Sequence, residues 1–127
     1  MQENYLFEYA VIRVVPRVER EEFLNAGIVL YCASQKFLKM LFDVNGDKLC
    51  SFCDKIDADE VNKYLLAFEE ICKGGDNAGP IGKLGIAERF RWLTATRSTI
   101  IQTSKVHPGF CKNPDETLSV LYNKLVV

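Results

Sequence analysis

Three apolar runs crowd into the first 43 residues: Leu6 to Val15, Ala26 to Cys32 and Phe37 to Asp43. The first is rich in Tyr, Phe, Val and Ile at both parities, as expected of a long strand covered on much of both sides. In the third, Leu38, Met40 and Phe42 share one parity and Lys39 and Asp43 take the other, so it reads as a half-buried strand. Pro16 stops the first run, the charged stretch Arg17 to Asn25 reads as a single helical turn, and Ala33 to Lys36 make a turn. Successive strands with links this short favour antiparallel pairing.

Helical signals dominate the remainder. After a turn at Asn45-Gly46, Asp57 is a good N-cap with Glu60 three residues on. Val61, Tyr64, Leu65, Phe68 and Cys72 then recur at helical spacing before Gly74 closes the helix. Gly74 to Gly85 holds five glycines and Pro80 and reads as a mobile connector. A short helix is expected from near Leu84 to Ala87 as far as Leu93. Arg97 to Thr103 reads as a fourth strand, with Ser98 and Gln102 on one face and Arg97, Thr99 and Thr103 on the other. Pro108-Gly109 reads as a turn. Asn113 caps the last helix, with Pro114 in its first position, Glu116 in its third, and a stripe of Leu118, Leu121, Tyr122 and Leu125. The expected fold is α+β: one domain over residues 1–127, with an antiparallel sheet of about four strands covered by two or three helices as a two-layer sandwich.

Composition narrows the function classes. Charged residues make up 26% of the chain and no run approaches the roughly 20 apolar residues that cross a bilayer. No basic and then apolar leader opens the sequence, so a cytoplasmic protein without membrane contact is expected. Five cysteines cannot all pair within one chain, which points to reduced thiols.

The net charge of −1 is unevenly spread. Between Lys83 and His107 stand Lys83, Arg89, Arg91, Arg97 and Lys105 against Glu88 alone, an excess of +4 in a mildly acidic chain. The same region carries the only tryptophan, Trp92, and the only histidine, His107. Such asymmetry suggests an anionic partner. Guanidinium groups offer two parallel donors to a phosphate or carboxylate, so Arg89 is expected to join Arg97 and Ser98 in holding one. Against this stands the plainer expectation that Arg89 and Arg91 pair with surface carboxylates. Phe90 and Trp92 cannot both face the core, and one belongs at the rim.

The ingredients of catalysis are sparse. His107 is the only imidazole available for proton transfer, and Ser98 lacks the Gly-x-Ser-x-Gly surroundings of an activated nucleophile. Cys50-x-x-Cys53 with His107 and Cys111 is the one conceivable zinc set, but the cysteines equally suit core packing, so no metal and no cofactor are expected. Gly82-Lys83 precedes Leu84 rather than Ser or Thr, which excludes a phosphate-binding loop of the nucleotide type.

Two stretches, YAVIRVVPRVEREEFLNAGIVL (Tyr9 to Leu30) and RFRWLTATRSTIIQTSKVHPGF (Arg89 to Phe110), resemble a bacterial family catalogued as domain of unknown function 3037. The family's recurring positions fall on Arg13, Pro16, Glu22, Phe23, Asn25 and Gly27 in the first. In the second they fall on Arg89, Phe90, Trp92, Leu93, Arg97, Ser98, Gln102, His107 and Gly109, while Thr96 stands where the family pattern carries a proline. The resemblance carries no established activity; members of the family are often encoded beside a kinase resembling toxin-type serine/threonine kinases, which implies an accessory role. The expectation is a small binding or regulatory module without catalysis. It would engage a protein partner or a phosphorylated or anionic group through Arg89, Arg97, Ser98, Gln102 and His107, with Arg13 and Asn25 as further site residues. The alternatives are an enzyme acting on phosphate esters or nucleic acid, and single-strand binding through Arg89, Trp92 and Arg97. Against the last stands the acidic pI of about 5.9.

Overall fold

The computed structural model describes residues 4–15, 23–43, 58–95 and 99–127. Five strands form one open antiparallel sheet: β1 (Tyr5–Val14), β2 (Leu24–Cys32), β3 (Phe37–Phe42), β4 (Ile101–Thr103) and β5 (His107–Cys111). Their order is β3-β2-β1-β4, and β5 pairs with β1 along the same edge as β4. Between β4 and β5 the ladder is interrupted, and a buried serine fills the gap. The Ser104 hydroxyl accepts from Val11 N at 2.9 Å and its backbone N–H donates to Val11 O at 2.8 Å. Both main-chain groups of Val11 are thereby satisfied, as buried backbone demands.

Helices lie on both faces, so the expected two layers gain a third. On one face α1 (Ala58–Lys73) and α3 (Ile86–Leu93) cover Ala10, Ile12, Val14, Val29 and Met40. Phe90 of α3 is fully buried and stacks on Tyr31 with ring centroids 5.1 Å apart, whereas Trp92 is at the rim, 36% exposed, edge-on to Phe68. Truncating a buried aromatic such as Phe90 to alanine costs about 3–5 kcal/mol. On the other face α4 (Pro114–Leu125) packs over β2 and β3, with Leu118 buried against Phe7, Val11, Ile28 and Leu30. Asn113 caps α4 as expected, its side chain accepting from Asp115 N at 3.0 Å and Glu116 N at 3.3 Å.

Four local expectations change. The fourth strand, expected over Arg97 to Thr103, is confined among the described residues to Ile101–Thr103, with Thr99 and Ile100 in a bend. Pro108-Gly109 is not a turn but the middle of β5, where they oppose Glu8 and Phe7. Proline is tolerated because β5 is an edge strand. Glycine is required because a Cβ at residue 109 would sit 2.6 Å from the Phe7 ring, which lies across it. Gly74 to Gly85 is not a bare connector but a folded unit. It holds a 3₁₀ turn (Asp76–Ala78) and the one-turn α2 (Gly79–Gly82), and is closed by a Gly75 N to Gly82 O hydrogen bond of 2.9 Å. Leu24 and Asn25 belong to β2 rather than to a helical turn; the turn at Asn45-Gly46, the Asp57 cap and the rest of the expected helical turn, residues 17–22, lie outside the described residues. Cys32, Cys72 and Cys111 are free and buried, and Cys50 and Cys53 lie outside the described residues.

Candidate functional site

A single irregularity in β2 decides where the polar residues of the first motif point. Ile12 pairs with Gly27 but Arg13 pairs with Asn25, so Ala26 is an extra residue, a β-bulge. Ala26 turns into the core beneath α1 and α3, and Asn25 is carried to the opposite face. There its amide nitrogen donates to the Leu125 carbonyl at the end of α4, 3.0 Å away. On the other side of β1, Arg13 pairs with Gln102 of β4. Directly opposed residues in an antiparallel sheet share a face. Asn25, Arg13 and Gln102 therefore form one row across three strands, each half-buried.

Arg13 is the centre of that row. Its guanidinium carbon lies 4.0 Å from the centroid of the exposed Phe23 ring, a cation–π contact that holds the head group flat. Among the described residues no carboxylate and no carbonyl accepts from it. Among the described residues its buried Nε has no hydrogen-bond partner, and neither has the neighbouring Asn25 Oδ1. Leaving a buried donor or acceptor unmet costs about 1–3 kcal/mol. Gln102 is committed on one side only, its amide donating to Thr99 O at 2.9 Å. Beside it, Thr94, Ala95, Gln102 and residues 103–106 line a depression of about 150 Å³.

His107 is on the same sheet face but farther along. It opposes Tyr9, with ring centroids 5.3 Å apart, and Tyr9 lies four residues, or about 13 Å, from Arg13 along β1. His107 is thus neighbour to an aromatic rather than part of the Arg13 row. The same geometry separates His107 from Cys111, which a helical spacing would have brought together, so the two do not share a metal. Among the described residues no cluster of three or more His, Cys, Asp or Glu is placed to hold one.

Arg89 is used differently from the expectation. It is on α3, on the opposite side of the sheet from Arg13, and its Nη1 donates to the carbonyls of Ile71 and Cys72 at 2.9 and 2.8 Å. Its Nε donates to Leu84 O at 3.1 Å. Ile71 and Cys72 offer free carbonyls at the end of α1, where the helix dipole concentrates negative charge. With two contacts spent there and a third on Leu84 just before α3, Arg89 leaves the anion-binding set and becomes a clasp between α1 and α3. Arg91 pairs with Glu8 at 3.2 Å, the plainer of the two expected fates for an arginine here. Arg97 and Ser98 lie outside the described residues.

Phe23 is the residue that sequence reasoning passed over. It stood in the first motif as one of the family's recurring positions but not as a site residue, and nothing in its spacing from Arg13 announces that the two stack. No helix among the described residues is long and apolar enough to cross a membrane. No curated protein and no solved structure matches the chain. The sequence profile of a family described as protein of unknown function matches residues 9–126, essentially the whole chain, and the protein belongs to that family, DUF3037.

Proposed function

We propose that the protein is a binding or regulatory module without catalysis, and that it engages a carboxylate or phosphate presented by a protein partner at the Arg13 row. The observation that carries this reading is a guanidinium held on an aromatic ring with no acceptor among the described residues. A planar cation in that state is suited to bidentate capture of a planar or tetrahedral anion. Asn25 and Gln102 flank it and contribute polar groups to either side; Lys105, at the neighbouring depression, adds positive charge. His107 extends the same face toward a larger partner surface. A kinase of the toxin serine/threonine type, suggested by the family resemblance, is a candidate partner. An enzyme acting on phosphate esters draws no support from the described residues, where His107 stands apart from the row. Binding of nucleic acid through Arg89 and Trp92 is disfavoured by the commitment of Arg89 to carbonyls.

Titration of the ¹⁵N-labelled protein with phosphoserine and with a blocked glutamate peptide tests the reading. The Arg13 Nε–H and the Asn25 and Gln102 side-chain amides should shift saturably, and Arg13→Leu should weaken binding at least tenfold, as loss of a charge-assisted contact implies. Unchanged spectra at tens of millimolar ligand, or equal binding by a folded Arg13→Leu variant, would end the proposal.

A further inference from the structure

The third strand offers a second surface that the Arg13 row does not use. Among the described strands β3 pairs only with β2, so its outer edge presents backbone donors and acceptors that no other described strand meets. Alongside that edge runs the C-terminal half of α1, and between them is a groove of about 380 Å³. Its floor is apolar: Leu38, Met40 and Cys72. Burial pushes the Cys72 thiol up to about 12, more than offsetting the lowering by the nearby Arg89 charge, so the sulfur stays neutral and the floor uncharged. Its rim is basic. Lys36, Lys39 and Lys73 line it against Glu69 alone.

We infer that this groove docks an extended acidic segment of a partner protein, which adds to the free edge of β3 as a further strand. Strand addition to a sheet edge draws its affinity from main-chain hydrogen bonds and its specificity from alternate side chains. A strand of alternating apolar and acidic residues meets both surfaces here, one parity entering the groove between Leu38 and Cys72 on the α1 side, near Lys73, and the other facing Lys39 on the α4 side of the sheet. Lys73 is held only by long surface pairs to Glu69 and Glu70, at 3.7 and 3.9 Å, and Lys39 by one to Asp115 at 3.2 Å. Such exposed pairs are worth little and exchange readily for an incoming carboxylate. Lys36 has no ion pair among the described residues. It occupies the left-handed region at φ 51°, where glycine would be the cheaper choice.

The probe is a blocked heptapeptide alternating glutamate with valine or leucine, followed by fluorescence anisotropy and by amide shifts of the ¹⁵N-labelled protein. Saturable binding is expected, with shifts confined to residues 36–40 and 69–73. The fully N-methylated peptide keeps the charges but has no strand donors, and it should lose binding. Lys36→Glu combined with Lys73→Glu, both surface changes, should weaken the unmodified peptide at least tenfold. Equal binding by the N-methylated peptide would reduce the effect to surface charge. Absence of saturation, shifts at the Arg13 row instead, or undiminished binding by the double variant would equally overturn the inference.

Discussion

Among the described arginines, Arg89 and Arg13 differ most in their surroundings. Arg89 has three donor contacts to carbonyls of Ile71, Cys72 and Leu84. Arg13 rests on Phe23 and makes no hydrogen bond to an acceptor among the described residues. One guanidinium completes a helix terminus and is therefore a stability element. The other carries an unmet buried donor, which folding alone gives no reason to keep. The contrast shows that a cluster of cations in the sequence marks charge, while the acceptors around each cation decide what that charge is for.

The largest effect expected on the Arg89 side is alkaline. Cys72, whose carbonyl is one of Arg89's acceptors, has its thiol raised by burial from 9.0 to about 12. The folded state therefore binds this proton more tightly than the unfolded state. The associated stability is complete below pH 9 and is lost as pH rises through 12, up to about 4 kcal/mol in all. Urea denaturation between pH 8 and 11 should show stability falling less steeply in Cys72→Val than in the parent. Next, Arg89→Ala should lower stability by about 3 kcal/mol, through loss of charge-assisted bonds to partly buried carbonyls. An equally stable Arg89→Ala would erase the distinction between the two arginines. Gly74→Ala should cost about 2 kcal/mol. Gly74 has φ 76°, and an added Cβ would lie 2.7 Å from Arg89 Nη1, so both the backbone and the clasp suffer. Arg91→Ala should cost under about 1 kcal/mol, since its pair with Glu8 is exposed. The smallest change in stability belongs to Arg13→Leu, within about 1 kcal/mol of the parent, because the lost cation–π contact is offset by removal of an unmet donor. Should Arg13→Leu unfold the protein while Arg89→Ala does not, the roles assigned to them are reversed.

Much of the architecture was legible locally. The α4 cap at Asn113, the Gly74 stop, the helix ending at Leu93 and the first three strands all follow from side-chain chemistry within a few residues. Pro108-Gly109 misled because its pairing partner is Glu8-Phe7, a hundred residues away in sequence, and an edge position makes proline harmless. The folded Gly74 to Gly85 unit was hidden for a similar reason. The glycines signal freedom, but the Gly75 to Gly82 bond and the Arg89 clasp use that freedom to close a compact shape.

The candidate site was legible as a list of residues and not as a place. Arg13, Asn25, Gln102 and His107 were all nominated, yet only the first three share a row, and Arg89 lies across the sheet from them.

Residue chemistry by itself determined which segments become strands and helices, which cysteines suit burial, and where positive charge is concentrated, because those properties depend on period, capping and composition over short stretches. Tertiary structure alone decided that one extra residue in β2 turns Asn25 toward Arg13, that Phe23 supports the guanidinium, and that Arg89 is consumed by a helix end. Each of these is a contact between side chains or backbone groups brought together by pairing and packing, and the orientation of a side chain in a sheet reverses with a single step of register.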